Sequence, residues 1–507
     1  MDMSYVIVAA LFVLSPLLLF HALLKSTTAE PPLLKGRIPL LGVALDFVNG
    51  PQPLLERARK KYGWIFTLYI GGRRMTVVSD PVVGMRQVYS QSRNFDAHAF
   101  FKYLNIQLFK YTPRINSDAA FQEALLRHVV SYLAAPANVE EIASVMRKEY
   151  RALVDENSDL CTGDYADRNG TVVDLYNFAR QKTYIAAAIA VFGKAFPAKE
   201  IYTDYITYED SLSRFIKSYP YIFNKRGVDA RGRVLEYLAD FFTDNEKSSQ
   251  SSSFITGISD LFRKFGYLSP DDLSGYFLSI VFASKSNSVP MAFWYLAFII
   301  HDEQFRGEVM KIITSHYNST TQDFDWQALY RDELLNSAFK ETARLVSNIT
   351  SGRVVCRDSM IKIADSKAPS STKEFYLRKG DSVLVLASMS HWDGEAFPEP
   401  MLWNARRFMP ENSGKLIKHD KASKDGDPQW KAYIPWGGGG HMCPGRHLAI
   451  VEAITQLVYV LWYFDVEKLS ADVPQMNVGE NYGSGVLKPS STYNVRFRRR
   501  EAPATKA

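Results

Sequence analysis

The stretch Pro435-Trp-Gly-Gly-Gly-Gly-His-Met-Cys-Pro-Gly-Arg-His-Leu-Ala449 carries most of the information about the fold. Its four successive glycines form a backbone that can lie close against a flat group and turn freely. Cys443 follows this loop, and we expect a helix to begin at Pro444, because proline is tolerated in the first turn of a helix. The N–H groups and the positive dipole of that turn would stabilise a thiolate, as a metal ligand requires. A buried, inert cysteine beside a glycine turn is the alternative for an isolated cysteine.

The spacing around this cysteine resembles the haem-binding signature of the cytochrome P-450 superfamily, Phe-x-x-Gly-x-(Arg/His)-x-Cys-x-Gly. The matching positions are Trp436, Gly439, His441, Cys443 and Gly445. The resemblance implies haem b with Cys443 as the axial iron ligand, and it places His441 toward a haem propionate. Trp436 departs from the usual phenylalanine, but it is still a large aromatic side chain that would shield the thiolate.

Two further motifs of the family stand upstream in the expected order. Glu341-Thr-Ala-Arg344 matches Glu-x-x-Arg, and its i, i+3 spacing puts both charges on one face of a helix. Alone, such a pair is typical of a solvated helix surface. Arg407, in the segment from Asn404 to Phe408, resembles the arginine that completes a buried structural triad with Glu341 and Arg344 in the family.

Basic residues that would meet the haem propionates are harder to identify from the sequence. Arg353 matches a position that often pairs with a propionate, although an arginine on an exposed strand is the alternative interpretation. The family's Trp-x-x-x-Arg motif is not evident. Arg127 or His128 would supply its basic residue.

The segment from Gly275 to Ile300 predicts a long helix through the protein core, which Pro290 kinks or widens. Its centre reads Ala-Ser-Lys-Ser-Asn-Ser over 283–288, where most oxygenases of the family carry an acid followed by threonine. Ser286 stands at the acid position and Asn287 at the threonine position, so we assign both as candidate catalytic residues. Asn287 can hold a water or bound oxygen through its amide, or it can simply satisfy the backbone opened by Pro290. This form resembles the branch with bile-acid sterol 7- and 12-hydroxylases and prostacyclin synthase, and also many fungal biosynthetic members.

The composition is that of a globular protein with an ample core. The chain has 507 residues, of which 47% are hydrophobic and 13% aromatic, and this excludes a disordered or collagen-like protein. Three scattered cysteines exclude a disulfide framework, and a net charge of +6 is too small to indicate nucleic-acid binding.

The periodicity of the apolar residues predicts a mainly helical protein with small β-sheets. Helical spacing dominates from about Val139 to Ile300. Strands are predicted at Ile65–Ile70 and Arg73–Val78 as a hairpin, and at Ser382–Leu386 and Tyr493–Arg498. The resemblance implies the cytochrome P-450 fold for this body of the chain.

The N-terminus predicts a single transmembrane helix. Tyr5 to Leu24 is an almost unbroken apolar run whose length, at ~1.5 Å per residue, reaches about 30 Å and matches a bilayer core. The basic residues after it, Lys25, Lys35 and Arg37, place the rest of the chain in the cytosol. A cleaved signal peptide is the alternative.

These features divide the chain into a membrane anchor over 1–25, a proline-rich hinge over 26–40 and a haem-thiolate catalytic domain over 41–507. The predicted location is the endoplasmic reticulum membrane, single-pass, with a cytosolic catalytic domain. Three glycosylation sequons, at Asn169, Asn318 and Asn348, are then expected to stay unmodified.

The resemblance implies a monooxygenase that uses O2 and electrons from NADPH-cytochrome P-450 reductase, with cytochrome b5 as a further candidate donor. Its substrate would be a hydrophobic small molecule, such as a terpenoid or steroid-like secondary metabolite. Four largely apolar or aromatic segments are expected to contact it: 95–111, 282–287, 346–351 and 486–487. A reductase-independent isomerase or dehydratase is the alternative, which the missing acid favours. A non-catalytic haem or lipid binder is a third possibility.

Overall fold

The computed structural model describes residues 29–36, 41–81, 83–155, 170–365, 368–410, 432–479 and 483–500. The predicted transmembrane run, Asn169 and Cys161 lie outside these ranges. Among the described residues, none of the helices combines the length and the apolar character needed to cross a bilayer.

Helices dominate the chain, because apolar residues recur at three- and four-residue spacing through most of its length. The helices are α1 (Ala44–Asn49), α2 (Pro51–Tyr62), α3 (Gly84–Ser90), α4 (Ala97–Phe109), α5 (Pro113–Ser117), α6 (Ala119–Ala134), α7 (Pro136–Asp155), α8 (Leu175–Phe192), α9 (Ala198–Asp210), α10 (Leu212–Ile216), α11 (Tyr221–Thr243), α12 (Asn245–Ser248), α13 (Ser253–Phe265), α14 (Pro270–Lys285), α15 (Ser288–His301), α16 (Glu303–Ser315), α17 (Trp326–Arg331), α18 (Glu333–Val346), α19 (Ala387–His391) and α20 (Arg446–Tyr463).

The strands are short and gather into small sheets. They are β1 (Leu33–Leu34), β2 (Ile65–Ile70), β3 (Arg73–Val78), β4 (Phe95–Asp96), β5 (Thr171–Asp174), β6 (Tyr317–Asn318), β7 (Asp323–Phe324), β8 (Ser347–Val355), β9 (Ser359–Asp365), β10 (Ala368–Leu377), β11 (Ser382–Leu386), β12 (Phe464–Lys468), β13 (Ser484–Val486) and β14 (Asn494–Arg499). The predicted strands are confirmed, the last one shifted by a single residue.

The largest sheet joins the two ends of the sequence. Its strand order is β1-β2-β3-β11-β8-β13, and β4 pairs with β8. The predicted hairpin of β2 and β3 is confirmed, with Gly71 and Gly72 at φ 53° and 84°, the left-handed region that favours glycine. In this sheet β8, which carries Arg353, lies between β11 and β13, and β13 carries Val486.

The core lies where α7, α8, α15 and α20 pack against one another. Residues 289–297 of α15 are all buried, so that helix is apolar on every side and runs through the interior. Near the cysteine, α20 contributes a second continuous row of buried side chains.

The long helix predicted from Gly275 to Ile300 is broken. The first part, α14, ends at Lys285 and the second, α15, begins at Ser288. Pro290 explains the break, because it has no N–H to donate to the carbonyl of Ser286 and its ring crowds that carbonyl. Ser286 and Asn287 therefore lie at the break, at the centre of the molecule.

Candidate active site

The loop that carries Cys443 folds back on itself. The backbone N–H of Cys443 donates to the carbonyl of Trp436 at 2.9 Å, and Gly437 and Gly439 adopt φ of 69° and 68°. A Cβ on Gly439 would collide with the backbone of Tyr89. The glycines are thus required both for the turn and for the close approach of α3.

The thiol of Cys443 lies just before α20. This helix begins at Arg446, two residues later than the predicted start at Pro444, since Pro444 and Gly445 form a turn. Burial raises the pKa of Cys443, and this outweighs the N–H groups of Gly445 and Arg446 and the charge of Arg446, which lower it. The turn supplies the expected donors, but they do not by themselves make the sulfur anionic.

Trp436 connects the cysteine loop to α18. Its ring lies parallel to Phe339 at 6.3 Å between centroids and 11° between planes. Trp436 is half-buried, so this position accommodates a side chain larger than the usual phenylalanine. Gly445, the last residue of the signature, has the Cys443 sulfur 3.9 Å from where a Cβ would stand.

Glu341, Arg344 and Arg407 are brought together in the interior. Arg344 donates to both carboxylate oxygens of Glu341, at 2.8 and 2.9 Å, and Arg407 donates to them at 3.0 and 3.1 Å. Arg344 also donates to the carbonyl of His391 at 2.7 Å, and Arg407 to that of Pro398 at 2.8 Å. The carboxylate is fully buried and holds α18, α19 and the 398–408 segment in one arrangement.

A group of basic residues lies close to His441 of the cysteine loop. Burial lowers the pKa of His441, and the nearby charges of Arg353 and His98 lower it further, while Asp96 opposes them. Arg353 is 4% exposed and donates to the carbonyl of Gly352 at 2.8 Å. Two histidines and one arginine beside a single carboxylate offer several hydrogen-bond donors and the fixed positive charge of Arg353 to an anionic group.

His98 was not found by sequence reasoning. It reaches this position because β4 pairs with β8, which sets the start of α4 beside Arg353. No pattern in the local sequence predicts the pairing of β4 with β8. Arg127 and His128 lie elsewhere: Arg127 pairs with Glu123 on the surface, and His128 contacts the carbonyl of Phe254 at 3.0 Å.

The broken central helix borders solvent-accessible space at Ala283, and we call this space the cavity. Ala283 is exposed although its helix crosses the interior, and Ser286 and Asn287 follow three and four residues later, so all three share one side. The Asn287 Oδ1 atom accepts from the backbone N–H of Val486 at 2.9 Å, which leaves its NH2 group as the remaining polar part. Ser286 Oγ lies 2.9 Å from the hydroxyl of Tyr205.

The segments predicted to contact the substrate behave differently from one another. Phe109 and Phe282 pack with their rings 5.2 Å apart, beside Tyr111, whose hydroxyl lies 2.7 Å from that of Ser279. Val346 and Leu487 instead have no exposed surface and are joined by a backbone hydrogen bond of 3.0 Å. Of the predicted segments, Val346 and Leu487 therefore lie behind the surface of the cavity and do not line it.

The residues of this site fit a haem. Cys443 offers one sulfur, the glycines remove side chains from the adjoining backbone, and the cluster of His98, Arg353 and His441 matches the two carboxylates of the macrocycle. No group of three or more His, Cys, Asp or Glu that could hold a bare metal ion occurs among the described residues. The single sulfur of Cys443 suits an iron that a macrocycle already holds.

Comparisons with known proteins agree with this geometry. The chain is 27% identical over 497 residues to the 5-beta-cholestane-3-alpha,7-alpha-diol 12-alpha-hydroxylase of Sus scrofa, covering 94% of this chain and 93% of the relative. It is 26% identical over 491 residues to the human 7-alpha-hydroxycholest-4-en-3-one 12-alpha-hydroxylase, covering 94% and 93%. It is 26% identical over 501 residues to human prostacyclin synthase, covering 92% and 94%. These relatives match the branch named from the central helix.

The family model described as cytochrome P-450 matches residues 31–497. That match spans nearly all of the described elements, from β1 to β14. It leaves a non-catalytic haem or lipid binder without support, because the family and these hydroxylase relatives are oxidoreductases. The chain belongs to the cytochrome P-450 family of haem-thiolate enzymes.

Proposed function

We propose that this chain is a haem-dependent monooxygenase that hydroxylates a rigid, hydrophobic small molecule of steroid or terpenoid type, in secondary metabolite biosynthesis. The observation that carries the proposal is the Cys443 thiol, held by the glycine loop just before α20. The sterol substrates named for two of the relatives support the substrate class.

In the proposed site, haem b, when bound, supplies the activation of molecular oxygen. Cys443 would bind its iron through the sulfur, with Trp436, Gly439 and Gly445 shaping the loop around that sulfur. His441, Arg353 and His98 would bind the propionates. Asn287 would hold a polar atom of the substrate or of oxygen through its NH2 group, since its carbonyl oxygen is fixed by Val486.

The Glu341, Arg344 and Arg407 cluster would act structurally. Its carboxylate is fully buried and every contact runs to the protein. We assign to it the positioning of α18 against the cysteine loop, which α18 reaches through Phe339 and Trp436.

A reductase-independent isomerase or dehydratase is the second candidate. Ser286 at the acid position, together with the similarity to prostacyclin synthase, favours it. The two candidates differ in their requirements: the monooxygenase needs NADPH, O2 and a reductase, whereas the isomerase needs only an oxidised substrate.

We infer membrane attachment from an exposed apolar surface, which we call the 216–223 patch. Ile222 and Phe223 are 74% and 65% exposed, and Tyr221, Ile216 and Tyr219 are exposed beside them. The patch is tied to α4 through the hydroxyls of Tyr103 and Ser218, which lie 3.0 Å apart. Exposed apolar area of this kind is typical of a binding or membrane surface.

The patch would rest on the cytosolic face of the endoplasmic reticulum. We propose the anchor over 1–25, the hinge over 26–40 and the catalytic domain over 41–507 as its framework. NADPH-cytochrome P-450 reductase would supply the electrons, with cytochrome b5 as an additional donor.

The decisive experiment expresses the full chain with the reductase and profiles the metabolites formed. Cys443→Ala is compared with Cys356→Ala, because Cys356 is an exposed free cysteine outside the site. We expect the wild type and Cys356→Ala to give the long-wavelength absorbance of a reduced, carbon monoxide-bound haem-thiolate, and Cys443→Ala to lose it. Haem content and this absorbance unaffected by Cys443→Ala would contradict the ligand assignment. Turnover without NADPH or O2 would support the isomerase.

A further inference from the structure

The central helix has no carboxylate at the position where the acid of most family oxygenases stands, yet the structure supplies one from another helix. Ser286 Oγ lies 2.9 Å from the hydroxyl of Tyr205 on α9. The Tyr205 hydroxyl lies 3.4 Å from Glu209 Oε1, one turn further along the same helix. A buried path of polar atoms thus runs from the helix break to Glu209.

The path continues to the surface through two basic residues. Arg180 and Lys488 contact Glu209 Oε2 at 2.6 and 3.0 Å, which leaves Oε1 for Tyr205. The same two cations contact Asp210 Oδ1 at 2.7 and 2.9 Å. The Asp210 side chain is 51% exposed, whereas that of Glu209 is 6% exposed. The group carries two positive and two negative charges, so it is neutral overall.

The charge state of Glu209 orients every hydrogen bond in the path. Burial alone would raise its pKa, but the charges of Lys488 and Arg180 outweigh burial and bring the pKa to about 2. The ionised carboxylate can only accept, so Tyr205 donates to it. The Tyr205 oxygen then accepts a hydrogen bond from the Ser286 hydroxyl. The lone pairs of the Ser286 oxygen stay free to accept a hydrogen bond from the cavity side.

We propose that Tyr205 and Glu209 form, with Ser286, a proton relay between solvent and the cavity that takes the place of the carboxylate missing from the central helix. This inference rests on the proposed monooxygenase function. When the Asp210 and Glu209 carboxylates take up one proton from water, Glu209 becomes a donor, and the hydroxyls of Tyr205 and Ser286 rotate so that the order of donors is reversed. Glu209 then passes its proton to Tyr205, and Tyr205 gives its own proton to Ser286. Ser286 releases one proton into the cavity, and every side chain ends as it began.

Tyr205 and Glu209 are positioning residues, since they act through Ser286. Proton relays of this kind typically change rates by about 10²- to 10⁴-fold, so even partial loss is measurable. Tyr205→Phe is the preferred variant because it removes one hydroxyl and leaves the charged group of Arg180, Lys488, Glu209 and Asp210 intact. Glu209→Gln would remove one of the two negative charges that neutralise Arg180 and Lys488, and this loss could unfold the chain.

The chain offers a matched control in Tyr184. This residue is also fully buried, its ring centroid lies 5.1 Å from that of Tyr205, and its hydroxyl has no hydrogen-bond partner among the described residues. Tyr184→Phe therefore removes a neighbouring hydroxyl that is not part of the path.

The test measures, on the full-length holoenzyme with reductase, the share of NADPH electrons that reaches product rather than peroxide, and the solvent deuterium isotope effect. We expect Tyr205→Phe and Ser286→Ala to lower that share by about tenfold or more and to change the isotope effect. Ser286→Thr, which keeps a hydroxyl, should lose less of that share than Ser286→Ala, and Tyr184→Phe should resemble the wild type.

A second readout does not depend on turnover. In the reduced, carbon monoxide-bound protein, Tyr205→Phe frees the Ser286 hydroxyl to turn toward the cavity, so the C–O stretching frequency should fall, and Tyr184→Phe should leave it unchanged. If Tyr205→Phe matches Tyr184→Phe in coupling, isotope effect and C–O stretch, the relay is wrong. If the wild type shows no NADPH- and O2-dependent turnover, the proposed function fails instead.

Discussion

Gly485 lies where strand β13 meets the break in the central helix. Its φ of 142° is in the region that favours glycine, and an added Cβ would collide with Asn287 Oδ1. We expect Gly485→Ala to lower the free energy of unfolding by about 1–3 kcal/mol through strain, and to alter substrate-induced changes of the haem spectrum. Chemical unfolding and substrate titration measure both.

Gly307 is the control for this substitution. It lies inside α16 with open space where a Cβ would stand. Gly307→Ala should therefore stabilise the protein by about 0.5–1 kcal/mol. Equal changes in the free energy of unfolding for Gly485→Ala and Gly307→Ala would show that the contact with Asn287 does not constrain the residue at position 485.

Lys285 and Glu452 are two buried groups of opposite charge that the proposed chemistry does not use. Burial lowers the pKa of Lys285 to about 8, although Glu452 opposes this shift, and the Lys285 Nζ atom has no hydrogen-bond partner among the described residues. Replacing both residues by apolar ones, Lys285→Met with Glu452→Leu, should raise the free energy of unfolding by about 1–4 kcal/mol at neutral pH.

The pH dependence follows from the same pair. Between about pH 8 and the ordinary lysine pKa of about 10.4, Lys285 holds a proton in the unfolded chain that it has released in the folded chain, so the contribution of Lys285 to stability rises with pH. The double variant should lose this rise. Lys311→Met, at an exposed position of α16, should keep it. Parallel pH curves for the double variant and the wild type would contradict the assignment.

At the scale of elements, the buried carboxylate of Glu341 predicts unequal effects at two neighbouring arginines. Arg407 is 9% exposed and contacts Glu341, whereas Arg406 is 45% exposed and pairs with Glu308. Arg407→Ala should cost about 3–5 kcal/mol of unfolding free energy and reduce the yield of haem-loaded protein. Arg406→Ala should cost about 1 kcal/mol or less. Similar losses would mean that the triad does not hold α18 in place.

Local patterns predicted the elements better than the contacts between them. The hairpin of β2 and β3 followed from two strand-like runs separated by Gly71-Gly72. One missing donor at Pro290 predicted a kink or widening of one long helix, whereas the structure has a break there. The contact of Ser286 with Tyr205 joins residues 81 positions apart. His98 reaches Arg353 only because distant strands pair. No local signal in one sequence encodes such pairings.

The same limit explains the errors at the cysteine. The motif identified Cys443 and the glycine loop from consecutive residues, but it did not reveal that burial raises the pKa of the thiol despite the helix beside it. That balance depends on how much protein surrounds the sulfur, which is a property of the whole fold.

At the scale of the whole molecule, the 216–223 patch predicts how the catalytic body meets a membrane. Ile222→Glu with Phe223→Glu, in a chain lacking residues 1–28, should weaken binding to phosphatidylcholine vesicles by about tenfold or more, because each buried large side chain contributes about 1.5–3 kcal/mol. Leu268 is also exposed, at 55%, but it lies outside the patch. The Leu268→Glu variant of the same truncated chain should therefore bind vesicles as tightly as the truncated chain without it. Vesicle flotation distinguishes the two outcomes.

The predicted cytosolic orientation has a separate test. Of the two sequons within the described residues, Asn348 is fully buried and its Oδ1 accepts a hydrogen bond from the Ser388 hydroxyl, whereas Asn318 is exposed. We expect no change of gel mobility on glycosidase treatment of the native protein. A shift that Asn318→Gln removes would instead place the body of the chain in the lumen.

The hydrogen bond from Val486 to Asn287 has a consequence for hybrid enzymes. It couples the middle of the chain to its last strands, across 199 residues. A chimera that imports a relative's central helix while keeping this chain's C-terminal segment would separate partners that fit each other. Recombination breakpoints should therefore keep both pieces from one parent, and libraries that do so should yield more active hybrids.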